Sequence, residues 1–344
     1  MRKKTLIKLV YAAAAFFMFA SNRIYAIYPR DFGKTADGFY YEITKDGTET
    51  IITGYSGDKT GINIPETIEG KTVTSIGSQA FVWRSEITSV NIPSTVDSIG
   101  LSAFAKCLSL EKINIPDEVD IISENTFHDC EKLTEIILPK YLSEIKRNAF
   151  ENCISLAHIE FPDSLKIIGN SAFENCISLT HIELPDDLKT IGNSAFENCK
   201  SLKAISVPAV FSVGDHSFKG CHSLEKVEIA EGVELIDEYA FAECLNLTEI
   251  IIPASVEKIA ENAFIACPGT MVIKGYPDSF AEGFAKAKGI RFEISEPAAE
   301  YIEKTSMGQR QMIVMIISLW LPALAVASAL IVIVAKRQKK EKNG

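Results

Sequence analysis

The sequence predicts a mostly β solenoid of the α/β repeat type, made of nine or so 23-residue units whose strands run parallel. Three observations carry that expectation. Residues 151–173 (ENCISLAHIEFPDSLKIIGNSAF) and 174–196 (ENCISLTHIELPDDLKTIGNSAF) are adjacent near-copies that agree at nineteen of 23 positions. A phenylalanine column, Phe81, Phe104, Phe127, Phe150, Phe173, Phe196, Phe218, Phe241 and Phe264, steps by 23 residues with a single step of 22. Counting from each unit's cysteine as offset 0, apolar residues recur at +3, +6, +8, +12, +15 and +20, for example Leu179, Ile182, Leu184, Leu188, Ile191 and Phe196 after Cys176. A unit with one apolar side cannot bury it alone, so neighbours must stack to make the core continuous.

From the N-terminus, residues 1–26 carry five basic and no acidic residues around an apolar run from Leu9 to Ala20. That pattern predicts a secretory signal peptide cleaved after Ala26, with Ala20 as the alternative. Residues 27–61 are expected to form an N-terminal β-hairpin cap, because alternating runs in Gly38 to Tyr55 flank Asp46-Gly47. A solenoid needs its first edge covered, since open strand edges aggregate.

The solenoid is assigned to residues 62–275. Its first unit is irregular: Pro65 lies 16 residues before Phe81, whereas Pro93 lies 11 before Phe104, so five extra residues near Ile68 to Thr72 are expected to bulge. In a regular unit the segment from +3 to +8, such as Leu110 to Ile115, reads as a short strand stopped by the following proline, which cannot donate to a ladder. A turn and a return segment ending in Ala-Phe complete the unit. The 22-residue step places Val210 two residues after Pro208, where other units use three, which predicts one residue deleted from a turn.

Residues 276–294 are expected to be a C-terminal cap, with a helix in PDSFAEGFAKAKG that starts in a Ser279-x-x-Glu282 capping box, presents Phe280 and Phe284 on one face, and ends at Gly289 before a closing strand, Ile290 to Ile294. Residues 295–311 read as a polar stalk. Residues 312–335 are 24 uncharged positions, about 36 Å of helix at ~1.5 Å per residue, which predicts one transmembrane helix. Lys336, Arg337, Lys339 and Lys340 then mark a basic cytoplasmic tail, 336–344, and place the solenoid outside a plasma membrane as a single-pass protein.

The formal charge of −10 conceals an asymmetry, since removing the two basic ends leaves 25 basic against 44 acidic residues. So acidic a body is a poor partner for phosphate backbones, which excludes nucleic acid. No G-x-S-x-G, phosphate-cradling loop, H-E-x-x-H or EF-hand pattern is present. The chain is therefore read as no enzyme, with no cofactor, no metal and no small-molecule substrate.

The unit C-x-S-L-x-x-I-x-I-P-x-x-V-x-x-I-G-x-x-A-F, with the Gly275 to Ala281 ending G-Y-x-x-S-x-A, resembles the BspA-like leucine-rich repeats of bacterial surface proteins, the Treponema pallidum type, over about residues 40–294. The resemblance implies a right-handed, exported, parallel-stranded leucine-rich repeat solenoid used in adhesion, with matrix proteins such as fibronectin or fibrinogen, or partner bacteria, as extracellular ligands. It departs from many relatives in having a membrane span rather than a wall-sorting signal.

All eight cysteines share offset 0. Side chains in one column point the same way, whereas a disulfide needs converging Cβ atoms, so a buried ladder of free thiols is expected. The solvent side of the strands at +5 and +7 is the candidate ligand surface. Its candidate residues are Glu135, Ile137, His158, Glu160, His181, Glu183, Glu249 and Ile251, with Ile137 and Ile251 its exposed apolar points. His158, Glu160, His181 and Glu183 could cluster as a surface metal or pH-sensitive site, or could simply have been copied with the duplicated unit. Two functional readings result: a membrane-anchored surface protein that binds protein ligands, or a structural spacer without a dedicated ligand.

Overall fold

A computed structural model describes residues 32–295. The expected signal peptide, most of the stalk, the transmembrane segment and the tail lie outside the described residues. Among the described residues no helix is long and apolar enough to cross a membrane.

The chain winds into a mostly β solenoid of about eleven turns rather than nine. The phenylalanine column undercounts because the last two front strands, Val272–Gly275 and Arg291–Ile294, are followed by no ring stacked in the column, which ends at Phe264. Most turns give one strand to a front face. Gly61–Asn63, Ser89–Asn91, Lys112–Asn114 and Glu135–Ile137 pair in parallel, and so do Ala204–Val207, Lys226–Ile229, Glu249–Ile251, Val272–Gly275 and Arg291–Ile294. The central residue of each three-residue strand is buried and its flanks face solvent, as period-two alternation requires.

The return segment holds a second ladder that the apolar pattern did not announce. Two-residue strands such as Ile121–Ile122, Glu144–Ile145, Ile167–Ile168 and Thr190–Ile191 pair in parallel to form a back sheet. Gly192 lies where turns approach closely: a Cβ there would sit 2.5 Å from the backbone of Gly169 and Asn170.

Between the sheets the rings of Phe81 to Phe264 stack in one column, with centroids 5.0–5.7 Å apart and planes within 14° of parallel. Tyr55 meets Phe81 at 6.0 Å at one end, and Phe284 meets Phe264 edge-on at 6.0 Å at the other. All eight cysteines are free, and seven are buried. Each Sγ donates to the carbonyl of a phenylalanine in the preceding turn, as Cys107 does to Phe81 and Cys130 to Phe104, both at 3.2 Å. The thiols are thus satisfied buried groups that tie turn to turn.

Two positions per turn have left-handed backbone. One is occupied by Asp129, Asn152, Asn175 and Asn198 with φ of 58–61°, the other by residues such as Ser171 and Ser194 at 54° and 55°. Asn, Asp and Ser tolerate this region because short polar side chains bond locally, whereas Lys106 and Glu243 occupy the first position without that help. The asparagines also form a side-chain ladder: Nδ2 of Asn152, Asn175 and Asn198 donates to Oδ1 of Asp129, Asn152 and Asn175 at 2.7, 2.9 and 3.0 Å.

Phe39–Ile43 and Glu49–Tyr55 form the antiparallel hairpin around Asp46-Gly47, and Phe32–Lys34 adds a third strand outside it. Glu49–Tyr55 then pairs in parallel with Lys71–Ile76 and so joins the hairpin to the back sheet. The five extra residues of the first unit are not a bulge but a second hairpin, Thr67–Ile68 against Lys71–Ile76, turning through Glu69 and Gly70 with φ of 49° and 75°. At the deletion, Val210 N donates to Pro208 O at 2.7 Å, a tighter turn than the Leu188-to-Pro185 bond of a regular unit.

The helix Phe280–Lys288 starts at Ser279, whose hydroxyl accepts from Glu282 N, and ends at Gly289 with φ 69°. The Glu282 carboxylate reaches back to Asp278 N at 2.7 Å, one residue earlier than a standard capping box. Phe284 packs on the core but Phe280 is 46% exposed, so the two rings do not share one buried face. The closing strand begins at Arg291, one residue later than expected.

Candidate functional site

The front face is built by alternation. Ile113, Ile136, Ile159, Ile182 and Ile205 point inward, which turns the residues on either side of each to solvent. Six of the eight candidate residues, Glu135, Ile137, His158, Glu160, His181 and Glu183, are exposed on it. Glu249 and Ile251 depart from the expectation and are half-buried. Glu249 lies down against the next turn, its carboxylate 2.8 Å from Lys274 Nζ.

Most charges on this face are paired. Lys112 Nζ lies 3.1 Å from Glu135, and His158 and His181 contact Glu160 and Glu183 of their own strands at 3.1 and 3.2 Å. Exposed pairs like these contribute little to stability. His158 and His181 are bridge partners on adjacent turns, so the two His–Glu pairs are neighbours. Among the described residues, however, no group of three or more His, Cys, Asp or Glu side chains is placed to hold a metal ion.

The front sheet is interrupted where these residues sit. Between Glu135–Ile137 and Ala204–Val207 the only front-face pairing is the His158–His181 bridge, while the back sheet runs on through Glu144–Ile145, Ile167–Ile168 and Thr190–Ile191. The break coincides with a change at offset +8. Ile115, Val207, Ile229 and Ile252 are buried there, but the interrupted turns carry Leu138, Phe161 and Leu184, all half-buried. Phe161 is turned edge-on to Phe173 at 5.5 Å, a contact no other turn makes at this offset. The β-branched residues of most other turns suit a pleated strand better than these longer side chains do. A surface groove opens beside the break, lined by Glu135, Ile137, Leu138, His158, Glu160 and Phe161. The signal was in the sequence as the Leu138, Phe161, Leu184 run at +8.

A second polar constellation, not foreseen, lies beside the asparagine ladder. His128, Glu151, Glu174, Glu197 and Lys219 occupy one offset in consecutive turns. His128 Nε2 is 3.2 Å from Asp129 and its Nδ1 is 3.2 Å from Glu151, while Lys219 closes the row 3.2 Å from Glu197. Burial raises the Glu151 carboxyl above its ordinary value, the nearby His128 opposes this, and the charges of Glu174 and Asp129 add to it.

Comparison with known proteins places the chain. The profile of the BspA type leucine-rich repeat region matches in six copies over residues 58–176 and 143–270. A leucine-rich repeat protein from Bacteroides ovatus is 31% identical, with 76% of this chain and 67% of that one aligned at a TM-score of 0.65. The T. pallidum leucine-rich repeat protein is 31% identical over 62% of this chain and 91% of its own, with a TM-score of 0.45. A leucine-rich cell surface protein from Faecalibacterium prausnitzii is 22% identical over 80% of this chain and 98% of its own, with a TM-score of 0.44. No functionally curated protein matches. With the repeat unit, its register and the matched span in agreement, the chain belongs to the BspA-type leucine-rich repeat family.

Proposed function

We propose that this protein is a surface-displayed binding protein that recognises extracellular protein ligands along its front face. The observation that carries the reading is the face itself: two runs of parallel strands, Gly61 to Ile137 and Ala204 to Ile294, present a long row of solvated side chains, with Ile137 63% exposed among charged neighbours. A regular curved face of this kind suits extended protein contacts. An exposed aliphatic residue ringed by polar ones suits an interface centre.

In this reading residues 27–61 and 276–294 close the two ends, 62–275 is the binding body, and 295–311, 312–335 and 336–344 are stalk, membrane anchor and cytoplasmic tail. A signal at 1–26 exports the body. Matrix proteins of the fibronectin or fibrinogen kind are the ligands to test first.

The test is binding of the full chain to immobilised fibronectin, fibrinogen and other surface proteins, beside a variant carrying Ile137→Lys, His181→Ala and Glu183→Ala. Saturable binding that the variant loses, with an unchanged melting curve, supports the reading. Binding that survives the variant moves the site off this face. Binding to nothing leaves the spacer role, which the mutual pairing of most face charges favours.

A further inference from the structure

The interruption of the front sheet is accompanied by a groove beside Leu138 and Phe161. Leu138 and Phe161 are half-buried and pack against the core, so whatever enters the groove meets their apolar surface. No strand pairing joins Glu135–Ile137 to His158–Glu160. The facing backbone groups are therefore left to other partners, and such groups seek hydrogen bonds.

A whole strand does not fit there. The back ladder pairs Ile122 with Ile145 and Ile145 with Ile168 across these turns, which keeps them near the ~4.8 Å of adjacent strands, and an inserted strand needs about twice that. The space suits a side chain.

Its rim is acidic. Glu135 and Glu160 line it, 61% and 87% exposed at the side chain, and Glu183 stands 88% exposed on the next turn, while Lys112 reaches Glu135 from the turn before. Ile137, Leu138 and Phe161 supply an apolar floor and wall.

Resting on the front-face reading, we infer that this groove is a side-chain pocket for a cationic polypeptide segment, seating one large aliphatic residue on Leu138 and Phe161 while flanking Lys or Arg residues meet Glu135, Glu160 and Glu183. Burying an aliphatic side chain supplies affinity, and the carboxylate rim selects its neighbours and speeds encounter. Phe161 is the specificity-determining residue: the isoleucine or valine of other turns closes the wall.

The probes are three synthetic peptides: Lys-Lys-Leu-Lys-Lys, the same with serine for leucine, and the same with glutamate for every lysine. They are titrated against the full chain, against Phe161→Ile and against Glu160→Gln with Glu183→Gln. The first peptide is expected to bind at least about tenfold more tightly than either other, equivalent to ~1.4 kcal/mol. Phe161→Ile introduces the residue that Ile115, Ile229 and Ile252 place at this offset in regularly paired turns, and it is expected to erase the preference for leucine over serine. The double glutamine variant is expected to weaken both lysine peptides. Equal binding of the leucine and serine peptides, survival of the preference in Phe161→Ile, or no binding of any peptide overturns the inference. Matrix-protein binding lost on Ile137→Lys but kept in Phe161→Ile overturns the pocket while leaving the front-face reading intact.

Discussion

Truncating one ring of the central column, Phe173→Ala, tests the packing scheme most directly. Phe173 is fully buried, with ring centroids 5.1 Å from Phe150 and 5.4 Å from Phe196, and it also receives the edge of Phe161. Deleting a buried phenylalanine costs about 3–5 kcal/mol when neighbours relax only in part. Here relaxation is restricted, because the turns on both sides are held in register by their back-sheet pairs. The melting temperature should fall by on the order of 10 °C for a body of this size. The stronger version is a double-mutant cycle by urea denaturation. Phe173→Leu with Phe196→Leu should show a coupling of about 0.5–1.5 kcal/mol, the range for ring pairs, while Phe104→Leu with Phe241→Leu, which share no contact, should be additive. Glu183→Ala on the face should change little. A wild-type urea midpoint for Phe173→Ala, or equal coupling for near and distant pairs, would refute the column.

Two further outcomes follow from the titratable groups. Burial pushes the thiols of Cys107 and Cys221 up to about 12 and raises Cys130, Cys153 and Cys199 well above the ordinary value, whereas half-buried Cys267 is lowered by its hydrogen bond with Cys244. A thiol reagent at about pH 8 should therefore modify one cysteine quickly in the folded protein, and Cys267→Ser should abolish that reaction; several fast thiols would contradict the buried ladder. Glu151 and Asp237 are both raised, chiefly by burial, so the folded state holds their protons more tightly than the unfolded chain. Their contribution is fully present below the unfolded values of 4.5 and 3.8 and is lost as pH rises through the folded ones, so thermal stability should increase on mild acidification from neutrality. Glu151→Gln should raise the neutral melting temperature and flatten that rise, and a wild-type pH profile in the variant would show that Glu151 is not a source.

The parts of the fold legible in the sequence were those repeated often enough to form columns. Nine phenylalanines, eight cysteines and the proline that ends most strands set register and inward face without ambiguity. The back sheet was invisible because strands of two residues, such as Thr190–Ile191, are too short to show alternation. The left-handed positions were hidden because Lys106, Asn152 and Glu243 fill them rather than glycine. Glu249 and Ile251 were misjudged because their exposure depends on the neighbouring turns, above all on Lys274, which a single unit's pattern does not contain. The break in the front sheet was written in three residues, Leu138, Phe161 and Leu184, but as substitutions within an apolar class that a hydrophobic pattern treats as equal.

Because each regular turn presents the same ring and thiol on one side and the same phenylalanine carbonyl on the other, one regular turn can follow another. A 23-residue segment inserted between Phe173 and Phe196 would find a ring on either side and a phenylalanine carbonyl waiting for its cysteine. The body then lengthens by one rung, about 4.8 Å, with no compensating change elsewhere. The near-identical segments 151–173 and 174–196 look like one such event, and recombination between them can add or remove rungs again. Length in this protein is an inheritable dimension, adjustable in whole steps, while the two ends keep the mating surfaces they already have.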